Sequence, residues 1–213
     1  MPGTNPETLA FFAPGLLHQF GNLWLSIDGH ASLLGGPADE LERTRTALLG
    51  VTREGRACLD VMRFLAGEPS TARRPLVRVL DELVAVARVP LRERQYGIVM
   101  HEAGAHGDAA VDPACVVVMT AEAIRRLVDA LPPGATGTIV VGSGGDADGA
   151  PRVLVYFEAT PGTLPFPLAE NALPAIGELA ASQRSPVACE PCRGGFSLRF
   201  CKRIPASRPG SFR

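Results

Sequence analysis

LLHQFGNLWLSIDGHASLL, residues 16–34, is the stretch that decides the fold. Its positions 16, 20, 23, 27, 30 and 34 alternate steps of four and three, and carry Leu, Phe, Leu, Ile, His and Leu. That spacing is the apolar stripe of a bundle-type helix. After a break at GGPAD, positions 41, 44, 48, 51, 55, 58, 62 and 65 repeat the same steps. Helices joined by so short a connection lie antiparallel. One hairpin cannot enclose its own stripe, whereas two hairpins close a four-helix bundle, so a homodimer is expected. Pro14, one turn before His18, is expected to kink or start the first helix, since an interior proline costs about 3 kcal/mol.

Beyond the linker GEPSTARRP the pattern changes. Residues 75–90 read as a helix, YGIVM as a strand, and PACVVVMTAEAIRRLVDAL as a helix with Pro113 near its start. TGTIVV and RVLVYF alternate as strands around SGGDADGAP. A short helix is expected near Asn171 to Ser182, and PVACEP with GFSLRFCKRI reads as a closing hairpin with Phe196, Leu198 and Phe200 on one face. The fold class is therefore α+β: a helical hairpin over residues 7–67, forming a dimeric four-helix bundle, then an α/β sandwich over residues 75–205.

With 213 residues, 46% hydrophobic and 20% charged, the chain is globular and long enough for a sizeable core. A formal net charge of −1 gives no general attraction to nucleic acid or anionic membrane, although Arg199, Lys202, Arg203, Arg208 and Arg213 make a local basic stretch. No apolar run approaches the roughly 18 residues of a membrane span, and MPGTNPET lacks the regions of a signal peptide, so a cytoplasmic protein is expected. Five cysteines argue against a disulfide framework. Cys189, Cys192 and Cys201 read as packing residues of the last hairpin rather than a zinc site.

His18 has Pro14, Gly15, Gly21 and Asn22 as its helical neighbours, none of them bulky. It lies about 160 to 200° around the helix from Leu16 and from Phe20, and so projects outward, open to a partner. An accessible imidazole nitrogen is a competent nucleophile toward phosphoryl groups. The glycines, each unfavourable in a helix by roughly 1 kcal/mol against alanine, read as a packing or access device. His30 lies on the apolar stripe. His101 and His106, in MHEAGAHGD, read as loop residues with no ligand set around them.

The run ETLAFFAPGLLHQFGNLWLSIDGHASLL, residues 7–34, resembles the dimerisation and phosphotransfer region of two-component sensor histidine kinases, in the subgroup whose motif reads approximately AHDFNNLLTxIxGYAELL. His18 matches the phosphoacceptor and Asn22 the residue four positions on. Leu23, Ile27, Gly29, Ala31 and Leu34 match apolar and small positions, and His30 stands where tyrosine is frequent. CLDVMRFLAGEPSTARRPLVRVLDELVAVA, LVDALPPGATGTIVV and CEPCRGGFSLRFCKRIP resemble, in the same order, the second bundle helix with its linker, the helix–turn–strand of the ATP-binding domain, and that domain's last hairpin.

The departures fall on nucleotide chemistry. Glu122 and Arg126 stand where the family carries asparagines, so the magnesium ligand is lost. In FEATPGTLP, Glu158 matches the adenine-recognising aspartate and Gly162 one glycine of the loop, but Thr160 replaces the other; FPLAENALPAIGELAAS has no glycine-rich lid. Gln19 replaces the acid that serves as general base in autophosphorylation. Resemblance and departures together imply a histidine phosphotransferase or pseudo-histidine kinase. It would pass phosphoryl groups between His18 and response-regulator receiver aspartates, aided by Asn22, without ATP, cofactor or metal. Two further readings stay open: an active ATP-dependent kinase with diverged motifs, and a non-catalytic dimeric adaptor that binds a response regulator.

Overall fold

The computed structural model describes residues 5–34, 37–102, 108–145, 148–160, 176–179, 181, 187–192 and 194–200. His106, Gly162, Cys201, the lid segment and the C-terminal arginines beyond Arg199 lie outside them, as does most of the helix expected at 171–182, of which 176–179 and 181 are helical. Helix α1 (Pro6–Ala31) and helix α2 (Ala38–Leu65) form the hairpin. After the linker come β1 (Arg74–Pro75), α3 (Leu76–Glu93), β2 (Tyr96–Glu102), β3 (Ala110–Val111), α4 (Pro113–Ala130), β4 (Gly137–Gly145), β5 (Pro151–Ala159), β6 (Val187–Cys192) and β7 (Gly195–Phe200).

The large sheet has the order β2-β4-β5-β7-β6, parallel between β2 and β4 and antiparallel elsewhere. The parallel pair follows from its connection: α4 lies between β2 and β4 and carries the chain back along the sheet. Asp112 starts that helix by accepting from the Ala114 and Cys115 amides at 3.1 and 3.4 Å, with Pro113 in the first turn. Helices α3 and α4 cover the sheet face that carries Ile139, Val141, Val153, Val155, Phe196, Leu198 and Phe200, all buried. The small antiparallel pair β1–β3 ties the linker to the loop before α4.

The helical ends differ from expectation at two prolines. Helix α1 does not begin at Pro14 but at Pro6, where Asn5 accepts from the Glu7 amide at 3.1 Å. Pro14 lies inside the helix, because the turn before it carries Phe11 and Phe12, both buried against the α/β unit, and their burial outweighs the proline penalty. Helix α3 likewise runs past Pro90 to Glu93, since Leu91 beyond it is fully buried.

The expected single stripe of α1 divides into two faces. Thr8, Phe12, Leu16 and Leu23 are buried within the chain, whereas Leu17 and Trp24, each 73% exposed, lie about 100° around the helix from Leu16 and Leu23 on a separate face; Ile27, on the side of Leu16 and Leu23, and Leu34, beyond the end of α1, are exposed too. Ile27 and Leu34 of the stripe are left uncovered within one chain, in keeping with a hairpin that cannot enclose its own stripe. Leu41, Leu49 and Leu59 of α2 are exposed as well.

Gly15 shows how closely the hairpin joins the rest. A Cβ built there would lie 1.9 Å from the Val86 carbonyl oxygen and 3.2 Å from Pro90 Cδ. Pro90 has no N–H, so it leaves the Val86 carbonyl, four residues earlier, without its helical donor. Only a glycine lets α1 cross directly over that oxygen. Gly15 therefore serves helix packing and not access to His18, whereas a Cβ at Gly21 would meet nothing within 4 Å.

Candidate functional site

His18 is exposed on α1, as its angle to Leu16 requires. Asn22 Nδ2 lies 3.1 Å from His18 Nε2. In the tautomer with the ring proton on Nδ1, the Asn22 amide donates to Nε2. In that tautomer the Asn22 N–H occupies the single in-plane lone pair of Nε2, so this contact must open before Nε2 can attack phosphorus.

Next to the imidazole, a cleft of about 370 Å³ opens between α1, α3 and β2. Its walls include His18, Gln19, Arg88, Arg92, Tyr96 and Gly97. Gln19 Nε2 donates to the Ala85 carbonyl at 3.3 Å and so bridges α1 to α3 at the floor of the opening. Arg88 and Arg92 escape a reading of the sequence, because only the packing of α3 on α1 brings them beside His18. The one local signal is two arginines four apart on the polar face of a helix.

Glu122 takes a different place from the one its alignment gives it. It is buried and faces α1, where it accepts from Thr8 Oγ1, from Arg125 at 2.8 Å and from Arg126 at 2.8 Å, with Asn5 Nδ2 at 3.5 Å. Arg125 continues the cluster to Glu7 at 3.1 Å and Asp129 at 2.7 Å. Burial alone would raise the Glu122 carboxyl; the hydrogen bonds from Arg125, Thr8 and Arg126 reverse that and hold it at about 2. The face of α4 that by resemblance would carry the magnesium ligand is thus closed by the first two turns of α1.

The remaining sites of interest stay apart. Glu158 is exposed near the end of β5, where Thr160 Oγ1 donates to the Thr136 carbonyl at 3.1 Å. His30 is half-buried near the far end of α1 and His101 is exposed on edge strand β2. Among the described residues no group of three or more His, Cys, Asp or Glu side chains is placed to hold a metal. Burial, with the neighbouring Cys192 and Glu190, pushes the Cys189 thiol up to about 11, which makes it a poor nucleophile. No helix among the described residues is long and apolar enough to cross a membrane.

No protein-family model and no curated protein matches the sequence. Solved structures similar to the chain include the Acinetobacter baumannii histidine kinase AdeS, at 6% identity and TM-score 0.44, over 86% of this chain and 96% of that one. A histidine kinase from Burkholderia phymatum STM815 is similar at 18% identity and TM-score 0.40, over 87% and 95%. The histidine kinase domain of the Erythrobacter litoralis EL346 blue-light activated histidine kinase is similar at 11% identity and TM-score 0.39, over 84% and 94%.

Proposed function

We propose that the chain is a two-component histidine phosphotransfer protein, in which His18 accepts a phosphoryl group from a receiver-domain aspartate and returns it to another, without ATP. The observation that carries the reading is the exposed His18, oriented through Nε2 by Asn22 at the mouth of an open cleft. Once the Asn22 amide releases Nε2, attack by its lone pair forms the N–P bond as the aspartyl O–P bond breaks, and the carboxylate leaves with the electron pair. Transfer of this kind needs no general base to deprotonate the nucleophile, which agrees with Gln19 beside His18 in place of an acid. The Glu122 cluster supports independence from ATP, since that face of α4 is closed against α1 by a buried ion pair.

Function and assembly go together in this reading. The exposed apolar side chains of the hairpin, Leu17, Trp24, Ile27 and Leu34 with Leu41, Leu49 and Leu59 of α2, supply the surface on which two hairpins would join as a four-helix bundle. His18 lies on another flank of α1 and stays accessible in such a dimer. The domains on this reading are the hairpin, residues 7–67, as the phosphotransfer unit, and residues 75–205 as a receiver-docking unit.

The test is incubation with a phosphorylated receiver domain and detection of acid-labile phosphohistidine. His18→Ala should abolish labelling while leaving the melting temperature nearly unchanged, as expected at an exposed site. Asn22→Ala should slow transfer without abolishing it, because the amide orients the ring but carries nothing. Undiminished labelling of His18→Ala would sink the mechanism.

A further inference from the structure

We propose that the cleft beside His18 is an oxyanion seat, in which Arg88 and Arg92 hold the oxygens of the phosphoryl group while it is exchanged at Nε2. The inference rests on the phosphotransfer reading above and assigns residues outside the hairpin to that same site.

Three observations converge on it. Arg88 and Arg92 stand one turn apart on α3, both exposed, and line the same cleft as His18. Neither has an ion-pair partner among the described residues; Arg73, Arg78 and Arg94 share that, but of these arginines only Arg88 and Arg92 line the cleft. The cleft walls contain no Asp or Glu, so nothing on them competes for the guanidinium groups. Two unpaired guanidiniums beside a nucleophile, with no acid near them, suit an anion with several oxygens, because each planar fork can donate two parallel hydrogen bonds to it.

The chemistry gives the pair a role. As the aspartyl O–P bond breaks and the Nε2–P bond forms, negative charge stays on the three equatorial oxygens, and positioning plus charge compensation supply most of the rate. Arg88 and Arg92 remain protonated throughout and move no proton. The bridge from Gln19 to Ala85 fixes α3 relative to α1 at this point, so the arginines keep their place beside the imidazole. Gly97 adds a wall without a side chain.

The experiment has two independent arms on the full chain. In the first, inorganic phosphate is titrated while the His18 ring resonances and the arginine Nε–H signals are followed by NMR. Saturable binding is expected in the wild type, weakened at least tenfold in the Arg88→Ala/Arg92→Ala double variant and partly regained in Arg88→Lys/Arg92→Lys. In the second, phosphoramidate, a small P–N phosphoryl donor, labels His18. The double alanine variant should be labelled at least tenfold more slowly at low donor concentration, with the melting temperature unchanged. Equal phosphate binding by wild type and double variant, or no saturable binding by the wild type, overturns the seat even if His18 is labelled. Arginine-dependent phosphate binding without any labelling of wild-type His18 leaves the anion seat standing but defeats the phosphotransfer reading.

Discussion

At the residue scale, one carboxylate shows how a position can change its use. Glu122 stands where the resemblance asks for a magnesium ligand, yet its partners Thr8 and Asn5 come from the start of α1. With its carboxyl at about 2 against the ordinary 4.5, the cluster stabilises the fold fully above pH 4.5, and this contribution is lost as pH falls from about 4.5 toward 2. The displacement corresponds to at most about 3 kcal/mol. Melting temperature followed by circular dichroism should therefore fall across that window. Glu122→Gln should start lower at neutral pH, because it leaves the buried Arg125 guanidinium without its buried carboxylate partner, and should show a flatter acid limb. An unchanged melting temperature at pH 7 would refute the account. The outward direction of His18 was legible, since a helix angle fixes it. The α1 partners of Glu122, Thr8 and Asn5, were not, because they lie more than a hundred positions away in the chain and meet it only after packing.

Elements obey their apolar patterns before their prolines. The longer helices and strands of the α/β unit were legible from periodicity, and the start of α4 from Pro113, whereas the Asp112 cap and the short pair β1–β3 emerge only in the structure. The sequence allowed Pro14 either to kink or to start the first helix and ended the helix of residues 75–90 three residues early; burial of Phe12 and of Leu91 carries each helix through its proline. The two glycines flanking His18 looked alike in sequence but should behave oppositely. Gly15→Ala forces a methyl into the Val86 carbonyl, and the α1–α3 contact must open at a cost of about 1–3 kcal/mol or more. Gly21→Ala meets open space on a helix and should stabilise by about 0.5–1 kcal/mol. Urea denaturation of the two variants checks both signs, and destabilisation by Gly21→Ala or neutrality of Gly15→Ala would contradict the packing described.

Across the whole molecule, the exposed stripe and the joined units set what the protein can do. Trp24→Glu combined with Leu17→Glu places charge on the proposed dimer face without touching the core of one chain. Light scattering should give about twice the 22.4 kDa chain mass for the wild type and one chain mass for the variant, with helix content kept. A wild-type monomer at micromolar concentration would remove the bundle from the proposal. The junction of α1 with the α/β unit, through Gly15 over Val86, Gln19 on Ala85 and Thr8 on Glu122, has a kinetic consequence. These three contacts tie the helix that bears His18 to the α/β unit, so the proposed exchange needs no swing of one half toward the other before chemistry. The exchange should then behave as a plain encounter reaction, its observed rate rising in proportion to receiver concentration with no lag and no slow gating step ahead of transfer.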